Sequence, residues 1–348
     1  MPLKSLPDNP SLAIIIPVLN EASRLPVLLD LIARQTRQPD AIVVADAGSA
    51  DATREIALEA GARVVGGGLP AIGRNAGAAA ASTDLLLFLD ADVEPQSEWI
   101  EQAVAEFVDR SLTVATAQVE PLERASVNVL ACEVVNLYLQ LMQYFSPHAA
   151  GSCILIRRDV HEMIGGFNTD VILAEDHDYV QKAATKGKFR VLRDTPAMPT
   201  SMRRLEKEGL VTLSFKYLYS EIHVLTGRQI KEIPFEYEFA AFDDPDQASI
   251  FREPETFRER LGESIAKPLE RLSTGVVDRI RRLGENKMSP AAINRLLKEF
   301  APNEIAEIRQ YVSRRAEGAL KATPVILRHI RKAGKKILSK MTIDIRGD

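Results

Sequence analysis

The run Leu85-Leu86-Leu87-Phe88-Leu89, followed at once by Asp90-Ala91-Asp92, constrains the fold of this chain more than any other stretch. An apolar run of this length without a polar break reads as a strand buried on both faces, the pattern of a parallel sheet covered by helices. Two carboxylates then stand at its carboxyl end, one residue apart. In open α/β sheets that edge is where ligands bind. Carboxylate oxygens suit Mg²⁺ or Mn²⁺ carrying a phosphorylated substrate. Taken alone, Asp-x-Asp also fits a solvated turn, because aspartate favours turns.

The surrounding pattern supports a sheet of this kind. Residues 12–17, 41–45, 63–65, 84–89, 113–118, 153–157 and 189–192 read as strands. Between them, 21–34, 51–60, 71–81, 96–108, 158–164 and 176–185 have helical periodicity; Ser49 or Asp51 is placed to cap the second helix and Gly61 to end it. Alternation of this sort predicts an α/β domain with a doubly wound, mostly parallel sheet flanked by helices, its strand ends gathered on one edge. The helix at 126–145 is unusually apolar, with one polar stripe through Glu133, Asn136, Gln140 and Gln143. It is expected as a core helix, or as a wall that receives a lipid-bearing substrate. A long apolar helix is expected at 210–225, closing a domain over 1–232. A linker at 233–250 and a basic helical extension at 251–348 follow.

Charge divides the chain in the same place. Residues 250–348 hold 22 Lys and Arg against 13 Asp and Glu, whereas 1–249 hold 22 against 35. In 325–341 the apolar residues Ile326, Leu327, Ile330, Ile337, Leu338 and Met341 share one helical stripe, with basic residues around them and no acid. Such a helix fits an anionic membrane surface, or packs on the catalytic domain with solvated lysines. Nucleic acid is not expected as a partner, because no aromatic residues are interleaved for stacking. The two cysteines, Cys132 and Cys153, have no metal-like spacing. With no apolar signal core at the N-terminus and no membrane-spanning run, a cytoplasmic protein is expected, either free or peripheral on the membrane face.

Four segments at strand ends carry chemistry. Pro17-Val18-Leu19-Asn20-Glu21 follows the first strand and Asp46-Ala47-Gly48-Ser49 the second. There an acid can accept from a base or ribose, while glycine allows close backbone approach. Gly73-Arg74-Asn75-Ala76-Gly77 is the third segment. Gly68 to Asn75 nearly fits the phosphate loop of ATPases, but Arg74 replaces its lysine, Asn75 its hydroxyl, and Pro70 precedes the second glycine, so that reading is rejected. The fourth is Leu173-Ala174-Glu175-Asp176-His177-Asp178, an acid-rich first helical turn. Such an acid cluster is costly unless solvated, metal-bound or catalytic, although the helix dipole favours it.

The order Pro-x-x-Asn-Glu, Asp-x-Gly-Ser, Arg-Asn-x-Gly, Asp-x-Asp, Gly-Gly-Phe, Glu-Asp resembles family-2 glycosyltransferases, over roughly residues 11–210. The resemblance implies the glycosyltransferase-A (GT-A) fold. It also implies inverting, metal-dependent transfer of a sugar from a nucleotide diphosphate sugar to a hydroxyl acceptor, in cell-surface glycan or glycolipid synthesis. It places Asp92 on a divalent ion, Mn²⁺ or Mg²⁺, with Asp90 near both metal and ribose and Ala91 between them. Pro17, Asn20, Glu21, Asp46 and Arg74 fall at nucleotide-binding positions. Asp176 falls on the catalytic base, with Glu175 beside it at the acceptor. Arg203 and Arg204 fall where relatives hold basic residues against the diphosphate. Ala47 departs from the pattern, since many relatives have a second Asp there. A nucleotidyltransferase is disfavoured, because the first strand is not followed by a glycine-rich basic loop. A non-catalytic binding subunit is disfavoured, because Asp92 and Asp176 are both intact. Uridine and guanosine donors, and lipid-linked or small acceptors, all remain open.

Overall fold

A computed structural model of the chain describes residues 3, 5–144, 146–204 and 230. The expected helix at 210–225, the linker at 233–250 and the basic extension at 251–348, with its stripe at 325–341, lie outside the described residues.

Along the chain the elements are β1 (Leu12–Val18), α1 (Leu25–Ala33), β2 (Ala41–Asp46), α2 (Thr53–Glu59), β3 (Arg63–Gly66), α3 (Pro70–Ala79), β4 (Leu85–Leu89) and α4 (Trp99–Asp109). There follow β5 (Val114–Thr116), β6 (Val119–Pro121), α5 (Ser126–Met142), β7 (Cys153–Arg157), α6 (Arg158–Met163), α7 (Glu175–Ala184), β8 (Phe189–Val191) and β9 (Met198–Thr200). The main sheet has seven strands in the order β3-β2-β1-β4-β7-β5-β8. Only β7 runs against the rest, antiparallel to both β4 and β5. The doubly wound, mostly parallel sheet with flanking helices is therefore present.

Strand alternation divides the core into two layers. Leu12, Ile14, Ile16, Leu85, Leu87 and Leu89 face α1 and α4, packing with Leu25, Leu28, Ile32, Trp99 and Phe107. Ala13, Ile15, Leu86 and Phe88 face the opposite way, with Ala71 and Ala78 of α3 and Tyr179 and Val180 of α7. The fully buried run on β4 belongs to both layers, which is why it carries no polar break. Small residues let α3 lie very close to the strands: a Cβ at Gly77 would stand 2.3 Å from Ile15 Cγ2. That approach brings Arg74, one turn earlier, over the carboxyl ends of the strands.

Two features differ from the sequence reading. First, β6 and β9 form a small separate parallel pair. Second, α5 docks through its polar stripe. Asn136 accepts from Val119 N–H at 2.8 Å and donates to Val119 C=O at 2.7 Å, Gln140 bonds Gln118 at 2.9 Å, and Gln143 accepts from Val191 N–H at 3.2 Å. Strand edges carry unpaired backbone groups that must find partners, and the amides on this helix supply them. Val135, by contrast, is exposed. Among the described residues α5 is thus a strand-edge cover more than a core helix.

Candidate active site

The exits of β1 and β2 are laced together by side chains. Asp46 Oδ1 accepts from the Ser49 hydroxyl at 2.6 Å and from Ser49 N–H at 3.1 Å. The same Ser49 Oγ accepts from Asn20 N–H at 2.9 Å, and Asn20 Oδ1 accepts from Ala50 N–H at 2.8 Å. Asn20 (φ 53°) and Gly48 (φ 94°) are both left-handed, a conformation that asparagine and glycine tolerate best. Asp51 accepts from Thr53 N–H at 3.0 Å, but the N-cap position of α2 falls on Ala52 and not on Ser49 or Asp51 as expected. Pro17 pairs with Ala45 across the two strands, and its ring lies against the position of Gly73.

At the exit of β4, Ala91 is buried in the core, and the acids on either side of it point to different neighbours. Asp92 lies beside Arg203, whose Nε is 3.4 Å from Asp92 Oδ2 and whose terminal nitrogen bonds Glu21 at 2.5 Å. Backbone bonds from Ser201 N–H to Asp92 C=O and from Glu94 N–H to Pro199 C=O zip the end of β9 to this loop and so deliver Arg203. Glu123, missed in the sequence, holds the same turn by accepting from Ser201 Oγ and Met202 N–H. Arg204 follows, half-buried. Burial pushes the Asp92 carboxyl up to about 6, with Asp90 and Glu21 adding to the shift and Arg203 opposing it.

Asp90 turns to Arg74. The guanidinium bonds Asp90 at 3.0 Å, Glu175 at 2.8 Å and the Gly151 carbonyl at 3.1 Å. Arg74, expected at the nucleotide, is only 3% exposed, and its fork is spent on these protein groups. Burial works against its charge, yet Asp90, Glu175 and Asp176 hold its pKa above the ordinary arginine range. Glu175 and Asp176 open α7. Both carboxyls are pushed up by burial, with Arg74 opposing the shift. Asp176 accepts from His177 N–H at 2.9 Å, and a Cβ at Gly151 would come within 2.8 Å of Asp176 Oδ2, so glycine leaves that carboxylate its room. The ring of His177 lies 4.4 Å from that of buried His148, which sequence reasoning did not single out. Ala174, just before the two acids, is held at φ 61° and ψ 33°. Left-handed alanine is strained, and such strain gathers at functional sites. The preceding residue pairs with Ile230, and Ile172 N–H bonds the Ile230 carbonyl.

The donor set suits a hard divalent ion. Asp92 is a crowded acid that a dication would relieve, and its ligand atoms are oxygens. Among the described residues no three acid, histidine or cysteine side chains are arranged to hold a metal ion by themselves. The protein's share would be one or two carboxylates, the remaining positions falling to phosphate and water as is usual for Mg²⁺-type sites.

Comparison with known proteins agrees with this architecture. The family described as glycosyl transferase family 2 matches residues 13–165. The pre-mycofactocin glycosyltransferase of Mycobacterium tuberculosis (strain ATCC 25618 / H37Rv) is 29% identical over 117 residues, 31% of this chain and 25% of that protein. The 4,4'-diaponeurosporenoate glycosyltransferase of Staphylococcus haemolyticus is 35% identical over 120 residues, 32% of each chain. The match thus spans only a quarter to a third of these relatives' length. A solved mannosyltransferase, PcManGT from Pyrobaculum calidifontis, described in complex with GDP-Man and Mn²⁺, has a TM-score of 0.51 at 19% identity, covering 97% of this chain and 89% of that one. The shared fold is that of the GT-A glycosyltransferases.

Proposed function

We propose that the protein transfers a sugar from a nucleotide diphosphate sugar to an acceptor hydroxyl, with inversion at the anomeric carbon. The observation that carries this reading is the Arg74 bridge, which joins Asp90 at the end of β4 to Glu175, next to Asp176, at the opening of α7. Asp90 and Asp92 face the donor half, and Asp176 the acceptor half. The Pro17–Glu21 loop and Asp46 line the nucleotide side, whereas Ala91, expected there, is buried in the core. Arg74 acts there only through Asp90.

In this reading the acceptor oxygen attacks the anomeric carbon as its proton passes to Asp176. The bond from that carbon to the diphosphate breaks, and its electron pair leaves on the phosphate oxygen. Arg203 stands where it can meet the growing negative charge once the diphosphate draws it from Asp92, with Arg204 beside it. A divalent ion on Asp92 and Asp90 would supply Lewis-acid stabilisation of the same charge. A single base on the face opposite the leaving group produces one displacement, hence inversion.

Asp92 provides the test. Its carboxyl titrates near 6 in the folded protein, above the ordinary 3.8. A raised carboxyl pKa means the metal-free fold loses stability as pH rises through that window. Asp92→Asn is therefore expected to raise the melting temperature of the metal-free protein above pH 6. The same change should abolish the Mn²⁺-dependent stabilisation produced by UDP or GDP in thermal shift. A variant that keeps the full Mn²⁺-dependent shift would remove Asp92 from the metal.

No helix among the described residues is long and apolar enough to cross a membrane. The basic stripe at 325–341 supports a peripheral site on an anionic bilayer, which would bring a lipid-linked acceptor to the domain. Flotation on phosphatidylglycerol vesicles should capture the full chain more strongly than a chain ending at residue 319, and less so in high salt. Equal flotation would discard the membrane role.

A further inference from the structure

Three elements carry the charged groups of the site: α3 with Arg74, the end of β4 with Asp90, and α7 with Glu175 and Asp176. One side chain touches all three. The ring of Phe167 stacks on Tyr179 of α7, with centroids 3.7 Å apart and planes within 6°. It meets Phe88 of β4 edge-on at 5.1 Å. The guanidinium carbon of Arg74 sits 5.4 Å from its centroid, within cation–π range. Yet Phe167 belongs to no helix or strand. It follows a turn in which Gly165 and Gly166 are both left-handed.

Asn75 holds it there. Its Oδ1 accepts from Phe167 N–H at 2.8 Å and its Nδ2 donates to Phe167 C=O at 2.8 Å, as a neighbouring strand would. The fit is close: a Cβ at Gly166 would stand 2.5 Å from Asn75 Oδ1. Asn75 also follows Arg74 directly on α3, so the clamp fixes the ring and the helix turn that presents the guanidinium at the same time.

We propose that Asn75 is a positioning residue whose clamp on Phe167 seats Arg74, and so sets the spacing between the acid pair after β4 and the acid pair opening α7. The inference rests on the glycosyltransferase reading above. It concerns a residue that meets no substrate, so its signature is a fall in turnover without a matching loss of donor binding. Displacement of reacting groups by an ångström is enough for a loss of about 10²-fold.

The test uses the full chain with Mn²⁺, and measures release of UDP from UDP-glucose and of GDP from GDP-mannose. Asn75→Ala should lower kcat by about 10- to 100-fold with the donor KM within about threefold. Phe167→Leu should do the same, and the double variant should be no worse than Asn75→Ala, because both changes break one device. Hydrogen exchange at the Phe167 amide should rise in Asn75→Ala. If that variant fails to fold, Asn75→Asp, which keeps the acceptor for the Phe167 N–H, carries the same measurements. Unchanged kcat, or a raised KM at unchanged kcat, would overturn the proposal while leaving the glycosyltransferase reading intact. A wild-type protein that releases neither UDP nor GDP, with other nucleotide sugars equally inert, would overturn both.

Discussion

Asp176→Asn is expected to lower turnover of a nucleotide sugar by about 10²–10⁴-fold, the range that loss of a general base produces. Mn²⁺-dependent binding of UDP or GDP should stay within about twofold, because the change removes only a transition-state role. The geometry makes this variant a clean one. Asparagine has the shape of aspartate, so its oxygen can still accept from His177 N–H, as Asp176 Oδ1 does at 2.9 Å. The space left open at Gly151 also remains. What asparagine lacks is the capacity to take the acceptor proton. On the donor side, Asp92, Arg203 and Glu21 form their own charged group. Steady-state kinetics together with calorimetry check the split. Wild-type turnover in the variant would remove Asp176 as the base, and a parallel loss of nucleotide binding would make it a donor residue.

The elements that position these groups were largely legible in the sequence, for a physical reason. Strands buried on both faces need unbroken apolar runs, and β1, β4 and β7 have them. The helices carry a 3.6-residue pattern because each buries one face. Strand-end acids were legible as candidates because local order fixes which residues a strand delivers to the sheet edge. Less legible were β6 and β9. Each has three residues, one of them proline, too short for any period to register. They are held by the Asn136 amide of α5 on β6 and by backbone bonds from the end of β9 to the loop after Asp92, the latter distant in sequence.

The same distance hid the partners of the charged residues. Arg74 and Glu175 are 101 positions apart, and Arg203 and Glu21 are 182 apart. A motif order tells which residue types reach one edge of the sheet. It does not tell which cation each acid takes once packing and desolvation act together. The motif resemblance placed Arg74 at the nucleotide. Its burial depends on Gly77, which lets α3 approach Ile15, and on the Phe167 ring; both stand in short motifs, but the motifs do not show what they pack against.

That burial leads to the largest expected effect on stability. Arg74→Met keeps the length of the side chain and removes its charge, leaving Glu175 buried with Asp176 beside it and no cation between them. Breaking a buried pair on one side only typically costs about 3–5 kcal/mol. Most of the loss should come from the Glu175 end, since the Glu175 side chain is 15% exposed and that of Asp90 is 37% exposed and better screened. Adding Glu175→Gln to Arg74→Met should recover a large part of it, because the orphaned charge is then gone. The pH dependence has a definite sign. Burial already raises the folded-state pKa of Glu175, and loss of Arg74 raises it further. A carboxyl with a raised folded pKa weakens the fold as pH rises above its unfolded value. The deficit of Arg74→Met relative to wild type should therefore be greatest at neutral pH and shrink as pH falls toward about 4. Urea unfolding of the single and double variants at pH 7 and pH 5 measures both effects. A deficit below about 1 kcal/mol at pH 7 would mark the bridge as no stronger than an exposed ion pair, and would remove it as the link between the two halves of the site.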